Sequence, residues 1–159
     1  MIFQALNSPE QVKSHATPED LVRCTKPITL ATAKAVAAGN SCKQEDIIIA
    51  ANVGRKAISD MLTICRGCAN SAETEELRIR TLSAGQDTAA RYRELLQAVL
   101  QSLNRPGSSE AKQELLPISR LIAQCVTNLV AMAELLKGIL FFLSFCLPLV
   151  YCVFHDFSI

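Results

Sequence analysis

The stretch Leu30–Leu62, LATAKAVAAGNSCKQEDIIIAANVGRKAISDML, holds two helical patterns and the turn between them. Its first arm is built from small residues: Ala31, Ala33, Ala35, Ala37 and Ala38. Alanine enters a helix at the lowest intrinsic cost, and its short side chain lets a neighbour come close. In the second arm apolar residues recur at alternating intervals of four and three, through Ile47, Ala51, Gly54, Ile58, Met61, Cys65 and Cys68. That rhythm draws one stripe along a helix. Ala50, Ala57 and Ile64 widen the stripe beyond a two-stranded seam, so more than one neighbour must cover it. Gly39-Asn40-Ser41 reads as a stop followed by a start, with Ser41 or Cys42 as the next cap and Glu45 in a loose capping box. Gly54 costs roughly 1 kcal/mol in a helix relative to Ala, which predicts close approach of another chain segment.

Working outward toward the N-terminus, Thr17-Pro18-Glu19-Asp20 combines a capping hydroxyl, a proline where a missing N–H is harmless, and acids at the positive helix end. A helix begins there and runs to about Gly39, with Leu21, Thr25, Ile28, Thr32 and Ala35 on one side. Pro27 lies inside it and predicts a kink near Arg23 and Cys24, or a late start. Residues 1–16 form an N-terminal extension of little pattern, in which Ser8-Pro9-Glu10 suggests a short helical start.

Toward the C-terminus, a polar connection at Asn70–Thr74 precedes a third helix over Glu75–Asn104, with the stripe Leu82, Gly85, Ala89, Tyr92, Leu96, Val99 and Leu103. Arg105-Pro106-Gly107-Ser108-Ser109 ends it. A fourth helix spans about Ser109 to Lys137 along Leu115, Ile118, Ile122, Cys125, Leu129, Met132 and Leu136, with Pro117 bending or delaying its first turns. No useful period-two segment occurs. The expected fold is all-α, an antiparallel up-and-down bundle of four long helices over residues 17–138.

Composition agrees with that class. Half of the 159 residues are hydrophobic but only 5% are aromatic and none is Trp, so Ala, Leu, Ile, Val and Met must make the core. A net charge of +1 supplies no long-range field toward nucleic acid. The seven cysteines lack regular paired spacing, and Met1-Ile2-Phe3 opens no signal peptide, so reduced thiols in the cytosol are expected.

After Gly138 the character changes. Residues 139–159 form a divergent tail, and Ile139–Phe154, ILFFLSFCLPLVYCVF, is an unbroken apolar run with Pro148 inside it. Its length falls slightly short of the roughly 20 residues that span a bilayer. Lys137 precedes it, so membrane contact by residues 139–154 is one reading, in a tail-anchored protein whose bundle faces the cytosol.

The residues ATAKAVAAGNSCKQEDIIIAANVGRKAISDML resemble the rod of the talin family near its C-terminal end. The likeness continues more loosely through Leu95–Leu100, Arg105-Pro106, Thr127-Asn128-Leu129, Met132-Ala133 and Lys137-Gly138. The resemblance implies the helical bundle immediately before the I/LWEQ actin-binding bundle, in a cytoplasmic, cytoskeletal adaptor that links integrin tails to actin at focal adhesions on the inner face of the plasma membrane. Actin filaments would be reached through neighbouring rod segments. It further implies a fifth helix, followed in the family by acidic and polar sequence, where this chain has Ile139–Ile159. That departure fits a truncated or alternatively spliced product, or a gene model that ran into non-coding sequence, and the tail would dock, helical, in part of the fifth helix's place or stay exposed as an aggregation-prone patch. Leu121–Leu136 resembles segments that leave their bundle and lay an apolar face into the head of vinculin. On that reading Leu121, Cys125, Leu129, Met132 and Leu136 form a cryptic vinculin-binding helix.

Chemistry finds little footing. Cys65-Arg66-Gly67-Cys68 has redox or half-metal spacing, yet both cysteines fall on the core stripe and no further CxxC or nearby His completes a ligand set. His15 and His155 stand in the two poorly patterned termini. No catalytic, cofactor or metal residues are expected, and the charged pairs Arg55-Lys56 and Arg78/Arg80, with Arg91-Arg93-Glu94, read as solvated faces.

Overall fold

The computed structural model describes the backbone of residues 15–156 and the side chains of residues 15–138. The short start suggested at Ser8-Pro9-Glu10 lies outside them. Among the described residues the chain is helical, with no strand: α1 (Pro18–Arg23), α2 (Thr25–Ser41), α3 (Gln44–Asn70), α4 (Glu75–Asn104), α5 (Ser109–Gln113) and α6 (Leu115–Asp156). Four are long, and they form an all-α bundle. Two are single-turn pieces, each placed by a proline. Pro27 has no N–H to give Arg23, and α1 ends at Arg23; Pro117 has none to give Gln113, and α5 ends at Gln113. Beside this junction the Thr25 hydroxyl donates to the Val22 carbonyl at 2.6 Å.

Caps define the starts. Thr17 N donates to Asp20 Oδ2 at 2.9 Å, and Asp20 N donates to Thr17 Oγ1 at 3.2 Å, a reciprocal capping box. These bonds hold the Asp20 carboxyl below its ordinary pKa, the Thr17 backbone bond contributing most. Thr74 caps α4 and Ser108 caps α5 through their hydroxyls. The α2–α3 junction differs from the sequence reading. Gly39 stops nothing: α2 runs on to Ser41, Cys42 takes the left-handed conformation (φ 52°), and Lys43 precedes α3 with no side-chain cap. Ser41 instead accepts from Lys43 N and donates to Asp46 Oδ2 at 2.9 Å.

α2 and α4 meet across the middle of the bundle, and each also touches α3 and α6. Glycines set the closest approaches. A Cβ on Gly54 of α3 would collide with the hydroxyl end of Tyr92 of α4, one on Gly85 of α4 would lie 2.9 Å from Cys65 Sγ of α3, and one on Gly39 would lie 2.6 Å from Leu115 Cδ1 of α6. The pairs 54 with 92 and 65 with 85 run in opposite order along α3 and α4. The core includes Leu21, Ile28, Met61, Leu95, Val99, Leu115, Ile122 and Leu129.

On α4 the buried row is Thr81, Gly85, Thr88, Tyr92, Leu95, Val99 and Ser102. The expected stripe shares Gly85, Tyr92 and Val99 with it, while Leu82, Ala89, Leu96 and Leu103 are only half-buried. Helix α4 therefore turns three hydroxyls inward in place of more apolar neighbours. Each is satisfied: Thr81 donates to Leu77 O at 2.7 Å, Thr88 to Ala84 O at 2.8 Å, and Ser102 to Val99 O at 2.6 Å. Among the described residues no buried side-chain nitrogen or oxygen lacks a partner.

Ser102 also reaches across to Gly39 O at 3.1 Å, a carbonyl in the last turn of α2 that Cys42 Sγ approaches at 3.3 Å as well. The Thr81 hydroxyl only adds a second bond to a carbonyl inside α4, whereas that of Thr88 also meets Cys125 of α6. Thr81→Val should therefore raise stability by about 0.5–1 kcal/mol, since removing the hydroxyl orphans nothing. Ser102→Ala should lower it by about 1 kcal/mol, because Gly39 O is left with only the weak thiol donor. Urea unfolding of the two variants checks both signs together.

Helix α6 does not stop near Lys137, where the sequence placed the end of the fourth helix. It continues without a break to Asp156, through the residues read as a separate tail. Docking of that tail by its side chains lies outside the described residues.

Candidate helix interaction site

Leu121–Leu136 lies within α6, which is lodged against α2, α4 and α1. At one end Leu115 reaches Gly39 of α2; at the other Lys137 Nζ lies 3.7 Å from Glu19 Oε1 of α1. Beside that ion pair, Leu136 shares a cavity of about 50 Å³ with Ala16, Pro18, Cys68, Ser71, Ala72 and Leu77. These residues come from the start of α1, the end of α3 and the first turn of α4, so Leu136 stands at one end of the bundle.

Three of the five residues chosen for the candidate site share one buried face. Leu129, Met132 and Leu136 are buried, and Cys125 is half-buried beside Asp87 and Arg91 of α4. Burial, and after it Asp87, raises the Cys125 thiol pKa. Leu121 does not join them: it is 42% exposed, and Ile122 takes the core position at 1%. Leu116, 52% exposed, and Leu135, 41% exposed, are further apolar residues facing water on this helix. The sequence signal that distinguishes Ile122 was present in the fourth-helix stripe, where Ile122 and not Leu121 keeps the spacing from Ile118 to Cys125. Ala133, fully buried, was missed because its small side chain adds nothing to a hydropathy pattern.

A partner that grips this face must first have it exposed. Burying a Leu, Ile or Met side chain contributes about 1.5–3 kcal/mol. Ile122, Leu129, Met132 and Leu136 together thus hold α6 by roughly 6–12 kcal/mol, as much as the whole stability of an ordinary domain. The face is available only when α6 has separated from α2 and α4.

Between α2 and α6 an open groove of about 490 Å³ is lined by Thr29, Ala33, Val36, Ala37, Ala123 and Val126 among others. Elsewhere the surface charges pair locally: Lys56 with Asp60 at 2.9 Å, Arg78 with Glu75 at 3.1 Å and Arg91 with Glu94 at 2.8 Å. Such exposed pairs within one helix, screened by water, contribute little to stability.

The cysteines of the CxxC stretch are buried together with Cys24 of the α1–α2 junction. Burial pushes Cys24 and Cys65 up to about 12 and Cys68 to about 11, from an ordinary 9.0. They are neutral thiols at physiological pH, and a metal or an electrophile needs the thiolate. Cys68 donates to Thr17 O at 3.4 Å and Cys24 to Leu21 O at 3.0 Å, so they act as small core residues. Tyr92 is raised by burial to about 12 as well.

Above pH 9 the unfolded chain releases these thiol protons while the folded chain keeps them, so stability must fall as pH rises. The melting temperature should stay level from neutral pH to about 9 and then drop steadily toward 12. A Cys24→Ala/Cys65→Ala variant should begin lower but lose less across that interval; an equal slope would contradict the burial.

Residues 4–135 match the family described as the Talin IBS2B domain. The chain belongs to the talin family. It is 46% identical to talin of Oscarella pearsei over 136 residues, 46% identical to Talin-2 of Homo sapiens over 138 residues, and 48% identical to Talin-1 of Gallus gallus over 138 residues. Each match covers 86% of this chain and 5% of the relative, so the chain spans about a twentieth of these talins' length. The talin match starts at residue 4, ahead of the Thr17–Gly138 stretch that carries the resemblance.

Proposed function

We propose that this chain serves as a non-enzymatic talin-rod segment in the linkage between integrin cytoplasmic tails and actin filaments. It presents helix faces to partners and passes load through its bundle. The observation that carries this reading is the family match, which runs across the whole packed bundle. The place of action that follows is the cytoplasm, at the cytoskeleton and at focal adhesions on the inner face of the plasma membrane. Actin is reached through neighbouring rod segments. As an alternative to the adaptor role, a tail-anchored membrane protein with a cytosolic helical bundle is not favoured by these matches.

Immobilised integrin β-subunit tail peptides should retain the purified full chain saturably, and retention should disappear when the bundle is thermally unfolded. Absence of saturable retention on every integrin tail tried would remove integrin from the reading. For vinculin, the buried face of α6 supports recognition by helix insertion into an apolar groove after α6 has left the bundle. A peptide of residues 121–136 should bind the vinculin head, whereas the folded chain should bind far more weakly. Equal binding by both would show that the face is not cryptic, and no binding by the peptide would end the idea.

A further inference from the structure

We infer that the C-terminal part of α6, residues 139–154, inserts into a lipid bilayer and tethers the talin-like bundle to it. Three observations meet there. The bundle ends at Leu136, among the start of α1, the end of α3 and the start of α4. Helix α6 nevertheless continues as one element to Asp156. At 1.5 Å per residue, residues 139–156 carry it about 27 Å beyond Gly138. The sequence over that extension has no charged residue before His155 and Asp156, and its polar side chains other than cysteine are Ser144 and Tyr151.

A helix that packs on a protein surface keeps one polar face toward water, as α3 does with Arg55, Lys56, Ser59 and Asp60. Residues 139–154 supply no such face in any direction. An all-round apolar helix belongs in hydrocarbon, and it spans the interface rather than lying in it, because lying flat requires amphipathicity. A helix satisfies its own backbone in lipid, which an irregular tail could not, save the Ser144 carbonyl, to which Pro148 has no N–H to donate. Residues 139–154 give about 24 Å of helix, about 3 Å short of a thin bilayer core of about 27 Å, a mismatch that local thinning of the bilayer meets. Tyr151 lies toward the far end, where aromatic rings with a polar tip favour the interface. The stretch Ser109–Gly138 is also long and apolar, but its inner face is committed to α2 and α4. The family match ends at residue 135, so this property is additional to the talin-like bundle.

The test is flotation of the full chain, synthesised in a cell-free system with phosphatidylcholine vesicles that contain no other protein, followed by alkaline carbonate extraction. Most of the chain should float and resist extraction. A Leu143→Arg/Leu147→Arg variant should shift at least tenfold toward the unfloated fraction while the bundle's melting transition stays unchanged. Parent chain that remains at the bottom of the gradient, as a soluble dimer or an aggregate, overturns the inference. So does carbonate release of the parent, or a double variant that floats as well as the parent. Because the vesicles carry no integrin and no actin, loss of the adhesion reading leaves this result untouched.

Discussion

Gly54→Leu should destabilise this bundle by more than about 3 kcal/mol, a loss large enough to abolish its folding transition at physiological temperature. In an isolated helix the substitution would help, since glycine is the poorest helix former after proline. Here the direction reverses because the space is taken. The first carbon beyond Gly54 Cα would collide with the hydroxyl end of Tyr92, which is buried with its hydroxyl turned to Ala31 O at 3.4 Å. The ring is held between α2 and α3, so giving way costs packing on both sides. Even Gly54→Ala should cost about 1–3 kcal/mol through overpacking, outweighing a propensity gain near 1 kcal/mol. Gly138, also in α6's helical backbone, has nothing within 4 Å of an added Cβ. Gly138→Ala should therefore raise stability by a few tenths to about 1 kcal/mol. Tyr92→Leu placed with Gly54→Ala should recover part of the loss, a coupling that chemical denaturation of the four chains in the cycle measures directly. A melting temperature unaffected by Gly54→Leu would contradict the α3–α4 contact.

Leu129→Ala should lower stability by about 2.7–5 kcal/mol, the range for emptying a fully buried leucine site. Leu129 is 0% exposed and lies midway along the α6 face that α2 and α4 cover. Backbone amides of residues 121–136 should exchange with solvent at least about a hundredfold faster in this variant, since every 1.4 kcal/mol corresponds to a factor of ten in the opening equilibrium. Leu121→Ala, on the same helix but facing water, should change stability by no more than about 0.5 kcal/mol. The pair separates two accounts of α6. Equal effects from both substitutions would mean that the helix is not seated as described.

Much of this arrangement was legible because its signals are local. Thr17 caps the helix it announces, and Pro27 and Pro117 break the chain at the turn before them, whereas Thr74 and Ser108, read as parts of connections, cap α4 and α5. Gly54 was legible by contradiction, as a poor helix former inside a strict heptad. What the pattern could not show depends on neighbours. Thr81, Thr88 and Ser102 look like surface residues until a carbonyl within reach satisfies each hydroxyl, and then the true inner row falls one residue ahead of Leu82, Ala89 and Leu103. Gly39 resembled a terminator because glycine commonly ends helices, yet its role is to admit Leu115 of a helix far along the chain. Leu121 and Ile122 are both apolar neighbours, and the four-three spacing from Ile118 to Cys125 already favours Ile122, the residue that α2 and α4 cover. The apolar tail looked like a separate element because composition changes at Gly138, whereas backbone hydrogen bonding carries α6 across the change.

The meeting of Glu19 and Lys137 has a mechanical consequence. It puts the first turn of α1 and the last bundle turn of α6 side by side at one end. Tension applied between these two points pulls their helices sideways off each other. Contacts then peel open one after another, starting with a partly exposed ion pair, instead of sliding past one another all at once. Peeling loads only the foremost contact at any moment, so the rate of forced opening rises at modest tension. The α3–α4 pair, locked where Tyr92 sits over Gly54, lies outside that line of pull and should be the last part of the bundle to come apart.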